Sequence, residues 1–133
     1  MLQDNIQSIL EEIRETLETV DESAVQTLIF DILGAGTVVT LGAGRVGMAC
    51  RGFAMRLGHL GLKAFHIGDT TVPHIGSGDV LLVSSGSGET QTIYDMTQIA
   101  RTNGARIVLV TNNRDSRMGR IADHIVEIHP VFE

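Results

Sequence analysis

The feature that most constrains the fold is a short apolar run that breaks off into serines and glycines and then into a helical pattern. Residues 80–83 are all valine or leucine, residues 84–88 are all serine or glycine, and helical periodicity begins at about Glu89. A strand that turns directly into a helix leaves the first backbone N–H groups of the helix unpaired, and the helix dipole adds positive potential there. The pattern therefore predicts either an anion-binding turn or an ordinary capped loop.

Apolar runs alternate with helical patterns over residues 37–127. The predicted strands are 37–41, 63–67, 79–84, 106–111 and 124–127, and the predicted helices are 45–60, 89–102 and a helical turn at 119–122. Alternating strands and helices require crossover connections, which favour a parallel sheet covered on both faces. The predicted fold class is α/β: a three-layer sandwich around a five-stranded, parallel, doubly wound sheet with flavodoxin-like strand order.

Two further helices are predicted before the first strand. Apolar residues recur at helical spacing in the first of them, which ends at about Thr19, and Asp21 or Ser23 can cap the second, which ends at Gly34. We expect one domain over residues 1–133, with a helical extension (1–34) and an α/β core (35–133). The extension either forms an oligomer contact or only covers the sheet.

Composition excludes several classes of function. Residues 1–31 carry eight acidic residues and one basic residue, while the rest of the chain carries eight acidic and nine basic residues. Nonspecific nucleic-acid binding needs a basic face, so we expect no nucleic-acid partner. No apolar run approaches the roughly 20 residues that span a membrane, no signal peptide is evident, and Cys50 is the single cysteine. We expect a cytoplasmic protein without a membrane partner.

A second glycine pattern follows the first predicted strand. Gly42, Gly44 and Gly47 form G-x-G-x-x-G, and Asp69 follows at a distance typical of a ribose-binding acid. This pattern alone would favour a nicotinamide-dependent oxidoreductase. A monophosphate held between two strand ends accounts for both this loop and the hydroxyl-rich loop at residues 84–90. The histidines lack metal-ligand spacing, so we expect no metal.

The loop at residues 85–90 resembles the phosphosugar-binding loop of sugar isomerase (SIS) domains, and the chain as a whole resembles the 6-phospho-3-hexuloisomerase group of that family. The similar segments are the N-terminal helices and residues 41–45, 53–61, 68–73, 85–90, 115–116, 119 and 122–123. The resemblance implies interconversion of 3-hexulose 6-phosphate and fructose 6-phosphate without a cofactor, in a homodimer or homotetramer with shared sites. A non-catalytic module that binds or senses a phosphosugar is the alternative.

The resemblance and the loop chemistry together give a set of candidate site residues. The residues expected to bind substrate or phosphate are Gly44, Arg45, Ser85, Gly86, Ser87, Gly88 and Thr90, and the candidate catalytic residues are Glu89 and His59. The family often has a hydroxyl residue where this chain has Val46. It also continues past the last strand into helices that carry a glutamate base, so we expect this 133-residue chain to bind better than it catalyses.

Overall fold

The computed structural model describes residues 1–131. Its strands are β1 (Val38–Leu41), β2 (Ala64–His66), β3 (Val80–Ser84), β4 (Arg106–Thr111) and β5 (His124–Glu127). Its helices are α1 (Leu2–Glu18), α2 (Glu22–Gly34), α3 (Gly44–His59), α4 (Gln91–Thr102) and α5 (Arg117–Ile121). Each of these elements was predicted from the sequence, and the predicted ends differ from the observed ones by no more than two residues.

The strands form one parallel sheet in the order β2-β1-β3-β4-β5. This confirms the predicted α/β class and the flavodoxin-like order. Leu41, the last residue of β1, lies opposite Val83 of β3. The chain leaves β1 through α3 toward β2 on one side, and it leaves β3 through α4 toward β4 on the other side. The strand order therefore reverses between β1 and β3, which is where open α/β sheets bind ligands.

Both faces of the sheet are buried because successive strand residues point to opposite sides. Val39, Leu81 and Ile107 belong to one core cluster, together with Ile93 of α4 and Met118 of α5. The other face contributes a second cluster, which contains Val38, Val80, Leu82, Val108, Ile32 of α2 and Leu57 of α3. Helices α4 and α5 thus cover one face, and α2 and α3 cover the other.

Helix α1 enters neither cluster. The apolar residues along one side of it are 41–69% exposed, and they are Leu2, Ile6, Ile9, Leu10, Ile13 and Leu17. The helix is held instead at its C-terminal end, where the hydroxyls of Thr16 and Thr19 accept hydrogen bonds from the backbone N–H groups of Val131 and His129. The two helices of the extension therefore pack differently. Helix α2 covers the sheet, while α1 leaves a stripe of apolar side chains exposed. Within residues 1–131, each helix is too short or too polar to cross a membrane.

A close backbone contact fixes the start of α3 against the end of β1. A Cβ atom built on Gly47, in the first turn of α3, would lie 2.5 Å from the carbonyl oxygen of Gly42. That distance is well inside van der Waals contact, and the obstacle is backbone rather than a mobile side chain. Only glycine at position 47 therefore lets the helix begin directly beside the strand end.

We predict that Gly47→Ala destabilises the fold. The added methyl group must push α3 away from Gly42, and overpacking of this kind costs about 1–3 kcal/mol. Gly52→Ala is the matched control, because Gly52 lies in the same helix and a Cβ there meets nothing within 4 Å. That variant should be as stable as the parent or up to about 1 kcal/mol more stable. Urea denaturation checks both, and equal stability of the two variants would contradict the contact.

Candidate functional site

The loops that follow β1 and β3 meet beyond the carboxyl edge of the sheet and enclose a cavity of about 240 Å³. Its lining residues are Ala43, Val46, Ser84, Ser85, Gly86, Ser87, Thr90 and Ile93. Of the predicted binding residues, Ser85, Gly86, Ser87 and Thr90 therefore share one cavity. None of the lining side chains carries a charge, so the cavity can recognise a ligand only through backbone groups and hydroxyls.

The two helices that start at this cavity lack a side-chain cap. Ala43 precedes α3 and has no group to accept a hydrogen bond, and Thr90 precedes α4 without making a capping bond. Of the other helices, α2 is capped by Asp21 and α5 by Ser116, whereas α1 also lacks a side-chain cap. Uncapped first-turn N–H groups and the helix dipole favour an anion at this position. The Thr90 hydroxyl is left free to donate to the same anion.

The serines of the loop shape it through their own oxygen atoms. Ser85 Oγ accepts a hydrogen bond from the N–H of Gly88 at 3.1 Å, and Ser87 Oγ accepts one from the N–H of Glu89 at 3.1 Å. A hydroxyl that accepts in this way still has its proton to donate. Both serines can therefore hold the turn and bind an anionic oxygen at the same time.

The end of β4 and the residues that follow it support the loop on the side away from the cavity. The carbonyl oxygen of Gly86 accepts hydrogen bonds from Thr111 Oγ1 at 3.0 Å and from the N–H of Asn112 at 3.1 Å. Gly88 adopts φ +68°, and a Cβ on it would lie 2.0 Å from Ser116 Oγ. Gly88 is thus required by the turn and by its contact with Ser116, although it does not line the cavity.

Glu89 is held by Arg117 on the outside of the loop. One carboxylate oxygen accepts from the backbone N–H of Arg117 at 2.8 Å, and the other accepts from its Nε at 2.9 Å. The Arg117 guanidinium also donates to the Glu89 carbonyl and lies 4.3 Å from the centre of the Tyr94 ring. The hydrogen bond from the Arg117 backbone, assisted by its side chain, lowers the pKa of Glu89. A sequence pattern could not reveal this clamp, because Arg117 lies 28 positions away.

The other predicted site residues lie outside the cavity lining. Gly44 begins α3 with φ +59°, and Arg45 follows it on the exposed side of the helix. His59 is exposed at the opposite end of α3, with Nδ1 3.4 Å from Nη1 of Arg56. Fifteen residues of helix separate His59 from Gly44, which is about 22 Å. His59 could therefore reach a phosphosugar only in another subunit.

A buried polar pair between β1 and β2 was not among the predicted site residues. Thr40 Oγ1 donates to the carbonyl oxygen of Cys50 at 3.1 Å and lies 2.7 Å from His66 Nδ1. The tautomer of the His66 ring decides whether Nδ1 donates to the Thr40 hydroxyl or accepts from it. Burial lowers the pKa of His66, and the charge of Arg51 adds to that effect, so the ring is neutral. Burial also raises the pKa of the Cys50 thiol. Residues 1–131 contain no cluster of three or more metal-ligating side chains.

The fold and the site define a doubly wound α/β protein with a cavity between two uncapped helix starts at its switch in strand order. The family model described as the SIS domain matches residues 31–133. A relative from Mycobacterium gastri, named 3-hexulose-6-phosphate isomerase, is 42% identical over 93% of this chain and 62% of its own length. The chain belongs to the SIS domain family.

Solved structures agree with this assignment. A hypothetical protein of 33% sequence identity superposes with a TM-score of 0.90, covering 99% of this chain and 70% of its own. A Methanococcus jannaschii protein, whose crystal structure infers a function of 3-hexulose-6-phosphate isomerase, is 31% identical. Its TM-score is 0.76, and the match covers 80% of this chain and 59% of that one. The chain thus spans about three fifths of the length of its named relatives.

We predict that Glu89→Gln lowers stability in a pH-dependent way. The pKa of Glu89 lies below its ordinary value of 4.5, so the clamp stabilises the folded state fully above that pH. The stabilisation is lost as the pH falls through the lower folded-state pKa. The difference in denaturation midpoint between parent and variant should be clear at pH 7 and should narrow below pH 4.5.

Glu12→Gln provides the control, because Glu12 is exposed on α1 and forms no ion pair with any residue in 1–131. Its midpoint should follow that of the parent at every pH. A Glu89→Gln midpoint that also follows the parent would show that the clamp contributes nothing.

Proposed function

We propose that this chain binds a phosphorylated sugar at residues 85–90 and supplies the substrate-binding part of a sugar-phosphate isomerase. The observation that carries the proposal is the cavity between two uncapped helix starts, with the free hydroxyl of Thr90 at its edge. Such a site binds a phosphate without a basic side chain, because several N–H and O–H donors converge on it. The finer proposal is the interconversion of 3-hexulose 6-phosphate and fructose 6-phosphate. The names of the relatives support it.

That reaction moves a carbonyl between neighbouring carbons of the sugar. A base removes the proton next to the carbonyl, an enediolate forms, and the proton returns to the adjacent carbon. The cavity lining holds no titratable side chain that could act as the base. Ser87 and Thr90 can position the phosphate, and the proton transfer requires a group from beyond the lining.

Neither predicted proton carrier stands in the cavity as the chain is folded. Both carboxylate oxygens of Glu89 are engaged by Arg117, and its lowered pKa makes it a weak base at neutral pH. A catalytic role for Glu89 requires that clamp to open. A role for His59 requires a neighbouring subunit whose α3 ends beside this loop. The site therefore favours tight binding with little turnover in the isolated chain.

Two other functions have different support. A non-catalytic phosphosugar-binding module is favoured by the absence of a titratable group among the lining residues of the described chain. A nicotinamide-dependent oxidoreductase is favoured only by the glycine pattern after β1. Asp69, the residue that would bind the ribose, lies 2.5 Å from Arg51 in an ion pair. A titration with NAD tests that alternative directly, and we expect no heat change.

We predict that Thr90→Val weakens binding of fructose 6-phosphate. The substitution keeps the size of the side chain but removes the hydroxyl, and a hydrogen bond to a charged group is worth about 1.5–3 kcal/mol. The dissociation constant should therefore rise by about 10-fold or more, as measured by calorimetry. Thermal stability should be almost unchanged, because this hydroxyl caps no helix.

Thr90→Ser is the matched control for this experiment, because it retains the hydroxyl and should bind fructose 6-phosphate like the parent. Unchanged affinity in both Thr90→Val and Ser87→Ala would contradict the proposed phosphate site.

We predict that isomerisation by the 133-residue chain is slow and that what remains depends on His59. Loss of a general acid–base group typically lowers the rate about 10²–10⁴-fold, so His59→Asn should remove most residual turnover of 3-hexulose 6-phosphate while leaving the affinity for fructose 6-phosphate intact. His74→Asn is the control, because His74 is also exposed but lies away from both loops. Fast turnover that survives both His59→Asn and Glu89→Gln would show that the base lies elsewhere.

A further inference from the structure

A carboxylate belongs to the same loop that is proposed to bind a phosphate. Glu89 stands between Gly88 and Thr90 in the chain, so its Cα lies about 4 Å from the Cα atom of each neighbour. The side chains that line the cavity carry no charge that could offset this carboxylate. Without compensation its charge would repel a dianion, and the N–H and O–H donors of the loop would have to overcome that repulsion.

Arg117 supplies the compensating charge. Its backbone N–H and its Nε engage both oxygens of the Glu89 carboxylate, and its Nη2 donates to the Glu89 carbonyl oxygen at 2.8 Å. One residue therefore holds the side chain and the backbone of the loop at the same time. A contact at several points fixes the direction of the carboxylate as well as cancelling its charge.

Further contacts keep the Arg117 guanidinium in place. It lies 4.3 Å from the centre of the Tyr94 ring, a distance at which a cation and an aromatic face attract each other. The hydroxyl of that tyrosine accepts a hydrogen bond from Gln98 Nε2 at 2.8 Å. Next to Arg117, Met118 donates its N–H to the carbonyl oxygen of Gly88 at 3.1 Å. The ion pair thus cannot separate freely, because α5 and α4 both hold the arginine against the loop.

The other arginines of this region are engaged elsewhere. Arg114, in the connection between β4 and α5, pairs with Glu127 at 3.0 Å. Arg120 donates to the carbonyl oxygen of Asp115, and its effect on Glu89 is smaller than that of Arg117. Among residues 1–131, Arg117 alone forms an ion pair with Glu89. Compensation of the loop carboxylate therefore depends on a single side chain.

We propose that Arg117 sets the affinity of the loop for dianionic phosphate esters by cancelling the charge of Glu89, without touching the ligand. The inference rests on the proposed function. Arg117 is then a positioning residue, which holds the carboxylate on the outer side of the loop and leaves the donors of residues 85–90 without a competing charge. With the pair intact the loop is neutral and accepts a dianion, and without Arg117 the loop itself is an anion.

Removal of the arginine charge tests the proposal. Arg117→Met should weaken binding of fructose 6-phosphate about 10-fold, which is the effect of one charge on a dianion at roughly 8–10 Å after screening by salt. Arg114→Met is the matched control, because it removes the same charge from the same connection but leaves Glu89 paired. Its affinity should stay within about 3-fold of the parent.

A double variant separates charge from geometry. Arg117→Met combined with Glu89→Gln makes the loop neutral again, so its affinity should return to within about 3-fold of the parent. Glu89→Gln alone leaves the arginine charge uncompensated and should bind at least as tightly as the parent. Arg117→Lys keeps the charge without the planar fork and should also bind close to the parent. If the clamp were only structural, each single variant would bind weakly and the double variant would not recover.

Salt provides a readout that a structural role would not change. Calorimetry at about 0.01 M and about 1 M salt, where the Debye length is roughly 30 Å and 3 Å, should show the deficit of Arg117→Met shrinking as the salt rises. Circular dichroism checks that each variant is folded at the temperature of the titration. If Arg117→Met does not fold, Glu89→Gln and Arg117→Lys still decide the matter, because weak binding by both would overturn the charge argument.

The same titrations separate this inference from the phosphate site. An Arg117→Met variant that binds like Arg114→Met, or a double variant as weak as Arg117→Met, would overturn the role of Arg117 and leave the phosphate site in place. A parent chain that binds no fructose 6-phosphate would overturn the proposed function, and this inference with it.

Discussion

Strands β1 and β3 are paired in parallel with Leu41 opposite Val83, so the two strands end within one residue of each other along the sheet. Their helices then leave toward opposite faces of the sheet, which keeps both helix starts uncovered at one point. The contact between Gly47 and the carbonyl oxygen of Gly42 fixes one of these starts, and the turn at Gly88 fixes the other. The proposed anion site is therefore a product of the strand order, and the individual serines and threonine add donors to it.

The site uses partial charges where many phosphate sites use arginine or lysine. Arg117, which contacts the loop through Glu89, points to that carboxylate and to the Tyr94 ring instead. Its charge is thus neutralised outside the cavity. N–H and O–H donors bind through direction as well as charge, so a ligand must place its oxygens where the donors point. In the function proposed here, such a site positions the phosphate and leaves the acid–base chemistry to other groups.

The sequence was sufficient to predict the strands, their order in the sheet and the convergence of the two loops. These features follow from hydrophobic periodicity and from the rule that crossover connections are right-handed. It could not show that Thr90 leaves its helix uncapped, since a threonine at that position ordinarily caps. The clamp on Glu89 depends on Arg117, a residue that follows β4 in the chain and reaches the loop only through the tertiary fold. For α1 the periodicity revealed an apolar side, but periodicity says nothing about which surface covers it.

The hydrogen bonds that Thr111 and Asn112 donate to Gly86 hold the loop before any ligand arrives. The conformational entropy of the turn is accordingly lost when the protein folds, and ligand association does not have to supply it. A preorganised loop of this kind cannot adjust to an anion of another shape. For the proposed phosphate-ester ligand, selectivity would then arise from the fit of the rest of the molecule at the walls that surround the loop.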